Sequence, residues 1–136
     1  MSVAIDLSGK DAVVTGASQG LGAATARALH AAGCRVALNH PGVEQTTADA
    51  EAIAAELNSI RADSASAIAC DVSDADAVQG MMDGLKDDWG GIDFLINNAG
   101  IIRDRTITKM SREEWRAVMD VNLDGVFYAS KYGLEV

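Results

Sequence analysis

The chain has 136 residues, a formal net charge of −9 and 49% hydrophobic residues. The length is that of about one domain, and the composition is typical of a soluble α/β domain rather than a disordered chain. The acids are spread along the chain without a Lys/Arg cluster, which makes nucleic acid a poor partner, and no apolar stretch approaches the roughly 20 residues that cross a bilayer.

The N-terminal segment shows no basic region followed by a long apolar run, so we predict no signal peptide and expect a cytoplasmic location. Cys34 and Cys70 stand in short apolar segments and not in a metal-ligand spacing. We therefore expect two reduced thiols in the core and no metal site.

Short β-type runs alternate with longer helical runs, which predicts an α/β fold with a parallel sheet covered by crossover helices. The predicted strands are residues 11–15, 35–39, 66–70 and 93–97. The sequence leaves the order of the strands in the sheet open.

Apolar residues at helical spacing predict the first two helices. The first helix is expected to bury one face and to end at Gly33; that face consists of Leu21, Ala24, Thr25, Ala28, Leu29 and Ala32. The second carries a stripe of Ala50, Ile53, Ala54 and Leu57.

Capping-box spacings predict the starts of the third and fourth helices, at Ser73 with Asp76 and at Ser111 with Glu114. The third helix has a buried face of Val78, Met81, Met82, Leu85 and Trp89, and the fourth has a stripe of Trp115, Val118, Met119, Asn122 and Val126. One member of the fourth stripe is an amide, which requires hydrogen-bond partners if it is buried.

A glycine-rich turn, TGASQGLG at residues 15–22, follows the first strand directly and opens a helix. Gly16, Gly20 and Gly22 can adopt left-handed backbone angles, and they let the backbone approach a pyrophosphate at a helix N-terminus. A tight strand-to-helix turn without a ligand is the alternative interpretation.

The G-x-x-x-G-x-G spacing of this turn differs from the better-known G-x-G-x-x-G fingerprint. Together with CDVSD at residues 70–74 and INNAG at residues 96–100, it resembles the short-chain dehydrogenase/reductases. Within that family, residues 100–127 are similar to 3-oxoacyl-[acyl-carrier-protein] reductases and acetoacetyl-CoA reductases. The resemblance implies a Rossmann-like, doubly wound NAD(P)-binding domain over residues 1–136, truncated after the fourth strand and following helix.

The resemblance also implies where a dinucleotide binds. The glycine loop is expected to hold the pyrophosphate, the segment after the third strand to line the adenine pocket, and the segment after the fourth strand to run beside the adenosine ribose. These residues are Gly16, Ser18, Gln19, Gly20, Leu21, Gly22, Asp71, Val72, Asn98, Ala99 and Gly100.

The choice between the two dinucleotides is expected at the tip of the second strand, where a carboxylate holds the 2′-hydroxyl of NAD. This tip reads Asn39, His40, Pro41, Gly42 and carries no acid, so NADP is expected, with NAD as the alternative. Gln19 stands where many similar NADP-dependent members carry arginine. His40 either faces the 2′-phosphate or is an exposed turn residue without a role.

By the same resemblance, Asn122 in DVNL is the asparagine that holds a water of the catalytic proton relay. Satisfaction of its amide by local backbone groups is the alternative. The family's catalytic serine and Tyr-x-x-x-Lys motif are not found in these 136 residues, since neither Tyr128 nor Tyr132 heads that spacing. We interpret Tyr128, Ser130 and Lys131, in YASK, as ordinary helix residues.

Two main functional hypotheses follow. In the first, the chain is the front part of a reductase that acts on a small-molecule 3-oxoacyl thioester and forms homo-oligomers through the fourth helix, as the resemblance implies. In the second, it is an inactive dinucleotide-binding module that pairs with a full-length homologue. A third, weaker hypothesis is a chain that does not fold alone, because the fourth strand lacks its next neighbour.

Overall fold

A computed structural model describes residues 3–136; the first two residues of the N-terminal segment, where no signal peptide is predicted, lie outside this range. The strands are β1 Asp11–Val14, β2 Arg35–His40, β3 Ala65–Ala69 and β4 Phe94–Ile96. The helices are α1 Gly20–Ala31, α2 Glu44–Ile60, α3 Ala75–Trp89, α4 Arg112–Met119 and α5 Gly125–Gly133, and a π-helical segment, Asp120–Asp124, joins α4 to α5. Within residues 3–136, none of these helices is long and apolar enough to span a membrane.

The four strands form one parallel sheet in the order β3-β2-β1-β4. This confirms the predicted parallel α/β sheet, with strand ends that differ from the prediction by at most one residue. The chain first builds outward from β1 to β3 and then returns to place β4 on the other side of β1. In open α/β sheets, ligands bind at such a reversal, outside the carboxyl ends of the strands.

Helices cover both faces of the sheet, so the doubly wound architecture is confirmed. Successive residues of β1 alternate between two cores, because side chains along a strand point to opposite faces. Ala12 and Val14 belong to the core under α1 and α2, whereas Val13 belongs to the core under α3 and α5.

The predicted buried face of α1 is wrong by about one residue. Leu21 is 81% exposed, and the buried residues of α1 are Gly22, Ala23, Ala26 and His30, whereas Leu29 of the predicted face packs half-buried against the core. A shift of one position rotates a helix face by about 100°. Small residues face the sheet because α1 starts directly from the glycine turn and lies close to the strands. The larger Leu21 points to solvent, so a prediction that counted it as buried selected the wrong face.

The third helix is capped by a different residue from the one predicted. Asp74, not Ser73, is the N-cap of α3, and its Oδ1 accepts hydrogen bonds from the backbone N–H groups of Asp76 and Ala77, both at 3.1 Å. Ser73 instead donates its hydroxyl to Asp71 Oδ1 at 2.7 Å. The predicted buried faces of α2 and α3 are confirmed, with Trp89 half-buried.

The capping box of α4 is confirmed: Ser111 Oγ accepts from Glu114 N at 3.0 Å, and Glu114 Oε2 accepts from Ser111 N at 2.9 Å. Its predicted apolar stripe is not buried. Trp115 is 54% exposed, and the buried residues in this part of the chain are Gly125 and Ala129 of α5, with Val121, Tyr128 and Tyr132 packed half-buried against the core. Val118 and Met119 are half-buried, so this side of α4 is only partly covered.

Candidate functional site

A cavity of about 360 Å³ lies at the carboxyl edge of the sheet, at the reversal between β1 and β4. All four segments that follow the strands contribute to it, together with α2 and the π-helical segment. The residues that line it are Gly16, Ser18, Gln19, Asn39, Pro41, Thr46, Cys70, Asp71, Val72, Asn98, Ala99, Gly100, Ile101 and Val121.

Two glycines allow the turn after β1 to pack directly on the segment after β4. Gly16 has a φ of +62°, and a Cβ on it would lie 2.8 Å from Ala99 Cα. A Cβ on Gly22 would overlap Gly16 O and lie 2.5 Å from Asn98 Nδ2. Both positions therefore require glycine for the fold itself, before any ligand is considered.

The start of α1 is left open for an anion. Gln19 is its N-cap, but no hydrogen bond from a side chain caps the helix in the described part of the chain, and no acidic residue lies in its first turn. The first N–H groups of a helix have no carbonyl within the helix to donate to, and they carry the positive end of its dipole. Gly20, Leu21 and Gly22 supply these groups, next to the cavity residues Ser18 and Gln19.

Thr15 and Asn98 lock the ends of β1 and β4 together. Thr15 Oγ1 accepts from the backbone N–H groups of Asn98 and Ala99, both at 3.0 Å. In return, Asn98 Nδ2 donates to Thr15 O at 3.1 Å and to Gly16 O at 3.0 Å. The part of Thr15 in shaping the cavity was missed from the sequence; the available signal was a hydroxyl residue between a buried strand and a glycine turn.

Nine of the thirteen residues predicted to bind the dinucleotide line the cavity, so they come together as expected. Four do not line it: Gly20 and Leu21 lie in the first turn of α1, Gly22 is buried beneath it, and His40 lies under the cavity wall. Sequence reasoning missed Pro41, Thr46, Cys70, Ile101 and Val121, which flank predicted residues or come from neighbouring elements.

His40 is buried, which corrects the interpretation of an exposed turn histidine. Its Nδ1 accepts from Gly42 N at 3.2 Å and lies 3.4 Å from Thr47 Oγ1. Burial lowers the pKa of His40, and the charge of Glu51 opposes this shift. The neutral imidazole thus shapes the turn that brings Pro41 to the cavity.

Both cysteines are buried free thiols, as predicted. Cys70 lines the cavity, and burial raises the pKa of its thiol to about 11, with a further contribution from Asp71 and Asp74. The thiol therefore remains protonated at neutral pH and behaves as an apolar wall residue.

Asn122 lies in the π-helical segment and is exposed, and its amide has the hydrogen-bond partners that the sequence led us to expect. Its Oδ1 accepts from Ile101 N at 2.8 Å, and its Nδ2 donates to Ile101 O at 3.0 Å. The amide thus fixes the cavity segment that follows β4. This agrees with the alternative in which backbone groups supply its hydrogen-bond partners. The proton-relay role stays a prediction.

The family model for short chain dehydrogenases matches residues 10–136. A 3-oxoacyl-[acyl-carrier-protein] reductase of Synechocystis is 42% identical over 125 residues, which are 92% of this chain and 49% of that protein. The chain spans about half the length of the curated relatives it matches.

Solved structures give the same result. A short chain dehydrogenase of Burkholderia cenocepacia in complex with NADP is 35% identical, with a TM-score of 0.88, and the match covers 95% of this chain and 51% of that one. A gluconate 5-dehydrogenase of the same organism, in complex with NADP and tartrate, is 32% identical, with a TM-score of 0.82, over 96% and 49% of the two chains. The glycine loop, the cavity and the match to the family model together show that the chain belongs to the short chain dehydrogenase family.

Proposed function

We propose that the cavity binds NADP, with the pyrophosphate at the open start of α1. The observation that carries this proposal is a helix start without a side-chain cap or an acid, directly beside a cavity lined by the glycine loop. The donor set suits a phosphate diester, because backbone N–H groups at a helix start bind anions. The adenosine half fits the side lined by Asp71, Val72 and the segment after β4.

NADP is preferred over NAD for two reasons. The tip of β2 carries no carboxylate that would repel a 2′-phosphate. The two structural relatives described above were solved with NADP. NAD remains the alternative dinucleotide for the same cavity.

The reaction that we propose for the whole protein is reduction of a 3-oxoacyl thioester to the 3-hydroxyacyl thioester. Its support is the identity to the Synechocystis reductase. When bound, the reduced cofactor supplies a hydride for the 3-keto carbon. Asn122 and Ile101, joined by two hydrogen bonds, position the wall of the cavity after β4. We extend the proposal to homo-oligomers, supported by the exposed Trp115 on α4.

An inactive dinucleotide-binding module is the second candidate. Within these 136 residues neither Tyr128 nor Tyr132 heads a Tyr-x-x-x-Lys spacing, so this part of the chain alone offers no acid of that motif. Hydride transfer to a ketone leaves an alkoxide, and a positioned acid that protonates it typically contributes about 10²–10⁴-fold. Polarisation of the carbonyl adds a comparable factor.

We therefore expect the 136-residue chain to bind cofactor without measurable turnover. The assay follows NADPH oxidation with acetoacetyl-CoA for this chain and for a version extended along its reading frame. Activity of the extended version alone supports the reductase; cofactor binding without activity in both supports the module. Turnover by the short chain would contradict the expectation, and the Tyr128→Phe variant would then show whether YASK performs the chemistry.

A further inference from the structure

Asn39 joins three segments beneath the cavity. Its side chain is 2% exposed, and its Oδ1 accepts from Gly16 N at 3.3 Å. Its Nδ2 donates to Cys70 O at 2.9 Å and to Ile68 O at 3.4 Å. Its backbone carbonyl accepts from Ala17 N at 2.8 Å. One residue of β2 thus holds the glycine loop on one side and the end of β3 on the other.

The chemistry of this position requires an amide. The oxygen meets an N–H group and the NH₂ group meets carbonyl oxygens, so the reversed orientation would place like groups against each other at Gly16 and Cys70. A buried polar atom without a partner costs on the order of 1–3 kcal/mol. Asn39 therefore has one favourable arrangement, and it fixes the distance between the glycine loop and the segment after β3.

These bonds also determine what remains for a ligand. The N–H groups of Gly16 and Ala17 are both used by Asn39, which leaves the N–H groups at the start of α1 for an anion. Asn39 borders the cavity, but its side chain is 2% exposed and both of its polar atoms already bond backbone groups.

We propose that Asn39 is a positioning residue, which sets the affinity for NADP and NAD alike and does not select between them. This rests on the proposed dinucleotide function of the cavity. It narrows the sequence-based view of the β2 tip: Asn39 itself, with its side chain bonded beneath the cavity, does not select the cofactor, and the lack of a carboxylate at the rest of the tip remains the reason to expect NADP. Selection then depends on other lining residues, such as Gln19 and Thr46.

The test is Asn39→Asp, with calorimetric titration of oxidised NADP and NAD between pH 5.5 and 8.0. At pH 8.0 the carboxylate accepts from Gly16 N but faces Cys70 O without a proton, so we expect both dissociation constants to rise by about tenfold or more, by similar factors. A buried carboxyl takes up a proton more readily than a free one. The protonated acid has the donor and the acceptor of the amide, so the ratio of variant to native affinity should recover towards pH 5.5.

Asn58→Asp is the matched control. Asn58 is also a bridging amide, since its Oδ1 accepts from Ser64 N at 2.9 Å and from Ala65 N at 3.0 Å, and its Nδ2 donates to Ala65 O at 2.9 Å. It lies in the last turn of α2, and its side chain holds the amino end of β3, away from the cavity. The same substitution should lower stability there, while the folded protein keeps its affinity for both dinucleotides within about twofold.

The outcomes separate the two proposals. If the native chain binds neither dinucleotide, the proposed function itself is wrong. If the native chain binds and Asn39→Asp changes the NADP-to-NAD affinity ratio by more than about fivefold, or if affinity does not recover at low pH, the positioning role is wrong. Circular dichroism checks folding; if Asn39→Asp does not fold at pH 8.0, its titration at pH 5.5 and the variant Asn39→Ser supply the same ratio.

Discussion

The starts of α1 and α3 lie at the same edge of the sheet, but they differ in how they are capped. At α3, Asp74 accepts from two backbone N–H groups and Asp76 lies in the first turn. At α1, Gln19 makes no side-chain cap among the described residues, and the first turn carries no acid. The positive end of the α3 dipole therefore faces carboxylates of the chain itself, whereas the start of α1 has neither a side-chain cap nor an acid in its first turn among the described residues.

This contrast teaches how to distinguish a structural helix start from a binding one. A missing cap alone is not enough, because α2 also lacks a side-chain cap, although Glu44 lies in its first turn. The start of α1 differs because it has neither a cap nor an acid and because it borders a cavity. Where a helix follows a glycine loop, the absence of capping residues at its start therefore indicates a candidate binding site.

The largest effect on NADP affinity is expected when α1 receives an acidic N-cap like that of α3. Gln19→Asp places a carboxylate at an extended N-cap, where it would satisfy the first N–H groups and repel a pyrophosphate. We expect the unliganded fold to gain about 0.5–1 kcal/mol. The affinity for NADP should fall about tenfold or more, as measured by urea unfolding and calorimetric titration.

Gln19→Asn is the control for that change, because it offers a capping oxygen without a negative charge. It should stabilise the helix start with a smaller loss of affinity. Unchanged NADP affinity in the Gln19→Asp variant would contradict the location of the pyrophosphate.

The opposite change, removal of the cap of α3, is expected to affect stability more than binding. Asp74→Ala leaves the N–H groups of Asp76 and Ala77 without their acceptor and should cost about 1 kcal/mol of unfolding free energy. NADP affinity should change much less than in Gln19→Asp. A larger loss of affinity than of stability would show that α3 also serves the ligand.

A smaller effect is expected in the pH dependence of stability. It arises from two buried histidines, His40 beside the cavity and His30 near the opposite edge of the sheet. Burial lowers the pKa of His40, and burial together with the charge of Arg61 lowers the pKa of His30. Below a pH of about 6.5, the unfolded chain binds protons at these side chains more readily than the folded chain. Stability should therefore decrease as the pH falls from 7.0 to 5.5.

Urea midpoints over that pH range measure this slope, above the range where ordinary Glu and Asp side chains titrate. An increase in stability on acidification would contradict the lowered pKa values of both histidines.

The sequence predicted the sheet and the cavity well, because glycine turns and buried strand runs act locally. Its errors came from packing. The face of α1 was misassigned because small residues face the sheet, while Leu21 points to solvent. For His40 the sequence left open a contact with the 2′-phosphate or an exposed turn, because a residue's depth at a strand end depends on the next helix, α2, which packs over it.

The roles of Thr15 and Asn39 could not be predicted for a related reason. Their hydrogen-bond partners are distant in the chain, as with Thr15 and Asn98 or Asn39 and Cys70. A sequence pattern identifies residues at a strand end but does not say which of them contact each other across the sheet.

The most direct test of the central claim is a titration of the isotope-labelled chain with NADP, followed by backbone amide NMR shifts. The account predicts the largest shifts at Gly20, Leu21 and Gly22 and along the cavity segments after β3 and β4. It predicts small shifts at Asp76 and Ala77, whose N–H groups are already bonded to Asp74. Large shifts at the start of α3 with none at the start of α1, or no shifts at saturating NADP, would contradict it.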